Sequence, residues 1–217
     1  MDETKRSKMG GGERARRTVP RPWCVPPAIV RDPGETLEGE GILAESPGAF
    51  GLLLWRTARD VTLWGNAPAA ARGNLFADGS ADGRLGLLAA TDLPPAVSAA
   101  VDTLHGTMAL SSRADDEIVA VCCLEIAAWA QREGLARTAV AFAQAGAVAA
   151  PGFGAAALQV GVLARAAGQG VRAETWLRRA GAVSRRERDR VVYAIALVEL
   201  GELYESRGGT DRAEGYY

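Results

Sequence analysis

The sequence predicts an all-helical protein: a helix–turn–helix repeat solenoid preceded by an irregular N-terminal segment. Three observations carry that prediction. Gly134, Gly168 and Gly208 each close a helical run, and they stand 34 and 40 residues apart. An alanine follows each glycine by five residues (Ala139, Ala173, Ala213), and an aromatic lies three further on (Phe142, Trp176, Tyr216). Two helical runs fill each period. A fixed period of this size marks stacked helical hairpins, because one hairpin alone cannot bury its apolar face.

Composition agrees with such a chain and removes other classes. Hydrophobic residues make up 48% of 217, mostly alanine, with aromatics at only 6%. Small side chains let helices approach closely, and the 10 prolines and 26 glycines punctuate the helical runs. The net charge is −1, so no overall field draws the chain to nucleic acid or to an anionic membrane. The exception is the start, where Lys5, Arg6, Lys8, Arg14, Arg16, Arg17 and Arg21 oppose Asp2, Glu3 and Glu13. We read it as a solvated tail, with a phosphate-binding arm as the alternative. Its charges run into Gly10-Gly11-Gly12 and not into the apolar stretch of a secretory signal. Phe50 to Leu54 is too short, and too closely followed by Arg56, Arg59 and Asp60, to span a bilayer. Cys24, Cys122 and Cys123 make no disulfide framework. The expectation is a cytoplasmic protein with no membrane partner and no nucleic acid partner.

Taken in order, residues 1–46 read as disordered or extended. Pro20, Pro22, Pro26, Pro27 and Pro33 exclude long helices, and Gly34 to Gly41 is acidic and broken by glycine. Trp23, Val25, Ile29 and Val30 are positioned to dock as an extended strip. Residues 47–110 read as helical, with degenerate repeats as one option. The first helix runs from Pro47 to Trp64, with an apolar stripe at Phe50, Leu53, Leu54, Thr57, Ala58, Val61 and Trp64. Arg56, Arg59 and Asp60 fall on its opposite side. Pro68 opens a short helix through Phe76; Asp78 to Gly83 is a turn before another at Arg84 to Ala90. Asp92 caps a helix beginning at Pro94 or Pro95, with a stripe at Val97, Val101, Leu104 and Met108.

Residues 111–217 form the array. Ser111 or Ser112 caps its first helix, which carries Asp115, Asp116 and Glu117 in the first turn, where the helix dipole favours acids. That helix ends at Gly134 and its partner spans Ala136 to Val148. The second pair is Ala155 to Ala167 with Val171 to Val183. The third is Arg188 to Ser206 with Asp211 to the chain end.

The columns of these pairs resemble tetratricopeptide repeats. Five residues before the glycines stand Trp129, Leu163 and Leu203; seven before stand Ala127, Gly161 and Gly201; eight before stand Ile126, Val160 and Leu200. Leu197 to Gly208 fits the family pattern best, and Pro151 falls where the family ends its second helix. The resemblance covers about residues 120–217. Ser184 to Arg190 lengthens the second unit, and the third stops at Tyr217 without a polar capping helix. That predicts an open apolar face, covered by more of a longer array, by a partner or by a second copy of the chain.

The resemblance implies a concave surface that receives a protein or peptide. Projected onto this chain, it places Glu125, Gln131, Arg132, Gln159, Arg165, Glu199, Glu202 and Glu205 there, with Leu124, Leu158 and Val198 between them. The family's lysine and asparagine clamp for a terminal carboxylate is replaced by Leu124, Ala128, Leu158, Val162, Val198 and Glu202. The implied role is a non-catalytic adaptor for a segment with apolar anchors and basic residues. A sensor module of a larger regulatory protein and a self-assembling scaffold are the alternatives.

Chemistry finds little support. His105 is the single histidine, and no nucleophile, base and orienting acid stand together. Cys122 and Cys123 point about 100° apart on a helix and read as core thiols, not zinc ligands. Asp78, Ser80 and Asp82 mimic a calcium loop that lacks its terminal glutamate, since Ala89 occupies that place. No cofactor or metal is expected. Arg178, Arg179, Arg185, Arg186, Arg188 and Arg190, interleaved with Glu187 and Asp189, read as a solvated surface; a seat for an acidic segment or phosphate is the alternative.

Overall fold

A computed structural model describes residues 33–77 and 81–217. The basic start, the Trp23 to Val30 strip, Cys24 and the first half of the expected Asp78 to Gly83 turn lie outside the described residues; its second half, Ala81 to Gly83, is not a turn but the start of a helix. Among those described, the chain is helical throughout and contains no strand. Its helices are α1 (Pro33–Glu45), α2 (Ala49–Asn66), α3 (Arg72–Ala77), α4 (Ala81–Ala89), α5 (Pro95–Ala109), α6 (Asp116–Arg132), α7 (Ala136–Ala149), α8 (Gly154–Ala166), α9 (Gly170–Glu187), α10 (Arg190–Glu205) and α11 (Thr210–Glu214).

The three glycines that carry the period share one backbone conformation. Gly134, Gly168 and Gly208 have φ of +77°, +71° and +74°, the left-handed region that costs only glycine nothing. In each case the next amide reaches back to the helix: Leu135 to the Ala130 carbonyl at 2.8 Å, Gln169 to Ala164 at 2.8 Å, Gly209 to Tyr204 at 2.9 Å. This is the Schellman stop, and it turns α6 into α7, α8 into α9 and α10 into α11. The alanines five residues later are buried at the hairpin seams, Ala139 and Ala173 completely and Ala213 nearly so. Beyond its own hairpin, α8 packs on α7 and α6, and α10 packs on α9 and α8. Thus α6, α8 and α10 lie side by side in one layer, backed by α7 and α9.

The first part of the chain departs from expectation. Pro33–Glu45 is a helix, where the sequence suggests a disordered or extended segment. Its glycines are contact points, not breaks. A Cβ on Gly39 would sit 2.9 Å from the Trp55 ring, and one on Gly41 would sit 3.3 Å from the aliphatic stem of Arg137. Ile42 is buried beside them. α2 then lies lengthwise along α7, with Glu45 at the first turn of α7 and Gly65 against Ala149 at its end. That packing is parallel, and it joins α1 and α2 to α7, about ninety residues further along the chain.

Local caps also differ. Asp115, not Ser111 or Ser112, caps α6, accepting from Glu117 N at 2.9 Å and Ile118 N at 3.3 Å. Pro94, without a side-chain cap bond, takes the cap position expected for Asp92, and α5 begins at Pro95 as the sequence suggests. Asp60 is buried and ion-paired to Arg84, not solvated opposite the stripe. Its carboxyl pKa is pushed up by burial, against the pull of Arg84, Arg59 and Arg56. The lengthened second unit is extra α9, ending at Arg188 with φ +63° before Asp189 caps α10.

Candidate functional site

α8 packs on α6 and α10 as well as on its hairpin partner α9, and α6 and α10 each keep one exposed stripe. On α6 the stripe is Ile118, Val121, Glu125, Ala128 and Arg132; on α10 it is Val191, Ile195, Val198, Glu202 and Glu205. Both follow the three- and four-residue rhythm of a single helix face. Five of these positions are large apolar side chains left in water: Ile118 at 41% exposure, Val121 at 47%, Val191 at 69%, Ile195 at 42% and Val198 at 44%. Exposed apolar side chains of this kind on α6 and α10, either side of α8, mark places where another molecule packs.

The structure distributes the sequence-predicted residues unevenly. Glu125, Gln131 and Arg132 are exposed on α6, Gln159 is exposed on α8, and Glu202 and Glu205 are exposed on α10. Three are brought into direct contact. Arg165 on α8 reaches across to α10, with Nη2 2.7 Å from Glu199 Oε2 and 3.0 Å from Glu202 Oε2. Glu199 is thereby half-buried, so the acidic end of the face is largely the exposed Glu202 and Glu205. Leu158, expected between the polar positions, is buried and offers no surface, because α8 is flanked on both sides. Val121, Val191 and Ile195 are additions to the expected face. Their signal in the sequence was their register with Val198 and Ala128.

The open apolar end predicted after α10 is partly closed. Tyr216 stacks on Tyr204 with ring centroids 5.5 Å apart, and the Tyr217 ring covers Gly201 so closely that a Cβ there would clash at 2.6 Å. A polar lock fastens α10 to α9 behind them. The Tyr204 hydroxyl lies 2.6 Å from Glu174 Oε1 and 2.9 Å from Arg178 Nη2, and Arg207 Nη1 lies 3.0 Å from Glu174 Oε2. The Tyr204 hydroxyl, then Arg207 and Arg178, hold the Glu174 carboxyl below its ordinary range.

The residues weighed for chemistry sit in structural contacts. His105 Nε2 lies 2.6 Å from Asp82 Oδ1, and its ring packs 5.6 Å from Phe76. Cys122 and Cys123 are free and buried, and burial raises both thiols. Among the described residues, no three His, Cys, Asp or Glu side chains group as metal ligands, and no helix is long and apolar enough to cross a membrane.

No family model, no curated protein and no solved structure matches the chain. Its function must be read from the face itself.

Proposed function

We propose that this protein is a non-catalytic adaptor that holds a peptide segment of a partner protein on the α6, α8, α10 face. The reading supposes that the three hairpins form a tetratricopeptide-like solenoid. It is supported by the three identical glycine stops and by the columns buried alike in each hairpin, such as Ile126, Val160 and Leu200. The single observation that carries the function is the exposure of Val121 on α6 and of Ile195 and Val198 on α10, the two helices that flank α8, bordered by Glu202 and Glu205. Burying such side chains stabilises a complex by about 1.5–3 kcal/mol for each one fully covered. The two carboxylates add register and select basic residues more than they add affinity. The occupant is therefore a segment with two or more apolar anchors followed by lysine or arginine.

The test is selection of displayed random peptides on the immobilised full chain, followed by affinity measurement. Enriched peptides are expected to pair apolar with basic residues. Ile195→Asp with Val198→Asp is expected to weaken them at least tenfold, or about 1.4 kcal/mol. Glu202→Gln with Glu205→Lys is expected to discriminate against the basic residues while Arg165 keeps its partner Glu199. Enriched peptides that bind both double variants as tightly as the parent would refute the reading.

A further inference from the structure

α10 carries its charges the wrong way round for a helix on its own. Arg190 opens it, Glu205 closes it, and Glu202 lies in its last turn. No acid stands in the first turn and no base in the last, although the helix dipole favours acids at the N-terminus and bases at the C-terminus. Asp189 answers the N-terminal amides as the cap, accepting from Val191 and Val192 at 3.1 Å, and Arg165 lies 3.0 Å from Glu202. Arg190 and Glu205 are both exposed. They stand about 22 Å apart along the helix axis.

Between these ends the open stripe is apolar. α11 and the tyrosines after it meet α10 at Gly201 and Tyr204. Val191, Ile195 and Val198 stay in water, and Ala194 beside them is exposed and small enough to let a second helix come close.

Such a stripe is complementary to its own reverse. Two copies of α10 laid antiparallel about an axis between Ala196 and Leu197 set Ile195 level with Val198 of the second copy. Val191 then lies level with Glu202 of that copy, and Arg190 falls within one turn of both its Glu202 and its Glu205. Two-fold symmetry makes every contact twice, so both ends of the pair carry opposite charges. A parallel pair would set Arg190 against itself and Glu205 against itself. Charge therefore selects the antiparallel arrangement, as flanking charges do in coiled coils.

We infer that α10 is an interface between two copies of this chain, antiparallel about a two-fold axis, with Ile195 and Val198 at its centre and Arg190 against Glu205 at each end. The second copy covers the stripe that the peptide of the proposed function would take. In that respect alone the inference rests on the peptide reading: peptide and copy compete, and chain concentration sets how much of the face is free.

Sedimentation equilibrium of the full chain at low salt, from about 5 to about 500 µM, reads the association in the weak range expected of a small interface. The parent is expected to pass from monomer to dimer across that range. Arg190→Glu alone and Glu205→Arg alone each place like charges at both ends of the pair, and each is expected to weaken the dimer at least tenfold. Both changes suit the helix dipole, so a lost dimer would not be a lost fold. An equimolar mixture of the two variants restores opposite charges at both ends, and is expected to recover the parent's dimer by pairing one variant with the other. A parent monomeric throughout, variants that dimerise as tightly as the parent, or a mixture that stays monomeric would each overturn the inference. None of these outcomes touches the peptide selection, and a failed selection leaves the dimer standing.

Discussion

At the scale of single residues, what a small side chain is for depends on what lies opposite it. Gly161 stands in the middle of α8, where alanine would improve helix propensity by about 1 kcal/mol. A Cβ there, however, would lie 2.6 Å from the Leu177 side chain and 3.1 Å from its backbone nitrogen. Leu177 is fully buried and has nowhere to move. Overpacking of this kind costs about 1–3 kcal/mol, so Gly161→Ala is expected to lower stability on balance. Gly106, exposed on α5 with nothing within 4 Å of its would-be Cβ, is the contrast. There the alanine is expected to raise stability by about 0.5–1 kcal/mol. Urea midpoints at unchanged slope measure both. Equal effects at the two sites would mean that the α8–α9 seam is looser than described. The small-residue column was legible in the sequence, because Ala127, Gly161 and Gly201 recur in register. Asp60 was not legible. Its place on α2 reads as solvent-facing, and only Arg84, brought over on α4, makes burial tolerable.

At the scale of elements, caps written next to a helix could be read and caps supplied from elsewhere could not. α7 begins at Leu135 without a side-chain cap of its own. Its orphan amides are met by Glu45, ninety-two residues earlier, whose carboxylate accepts from Arg137 N at 2.8 Å and Thr138 N at 3.3 Å. A carboxylate there also opposes the positive end of the helix dipole. Glu45→Ala is expected to cost about 1 kcal/mol, within the range for losing an N-cap. Hydrogen exchange should locate the loss, with the first turn of α7 and the end of α1 opening together. If protection at Arg137 and Thr138 stayed unchanged, the tie between α1 and α7 would be without consequence. The helix at Pro33–Glu45 escaped sequence reading for the same reason. Gly39 and Gly41 weaken an isolated helix, and they are tolerated because Trp55 and Arg137 need the space.

At the scale of the whole molecule, two carboxylates make opposite contributions to acid stability. Glu174 ties α9 to Tyr204 and Arg207, and its folded pKa is depressed below the ordinary glutamate value of 4.5. Its contribution is therefore complete above that value and is lost as pH falls through the lower folded pKa. Asp60 runs the other way. Its folded pKa is raised above 3.8, so its contribution is complete below 3.8 and is lost as pH rises through the folded value. Thermal unfolding from neutral pH down into this range checks both signs. Glu174→Gln is expected to flatten the acid loss, with its deficit largest above pH 4.5 and shrinking below. Asp60→Asn is expected to steepen that loss, because a group that favours the acid side is gone. A Glu174→Gln curve parallel to the parent at every pH would exclude the lock as a source of pH dependence.

The sequence by itself determined the long helices from α2 onward, the three glycine stops and the repeating columns. Each of these depends on interactions within a few residues: left-handed φ at Gly134, Gly168 and Gly208, and apolar spacing along one helix face. Tertiary structure alone decided where α1 and α2 lie, which acids remain free and which apolar side chains stay in water. Arg165 draws Glu199 into an ion pair, Leu158 is buried on α8, and the Arg179 guanidinium lies over the Trp176 ring. Those outcomes turn on side chains meeting across elements, and spacing along one helix holds no record of what packs against it.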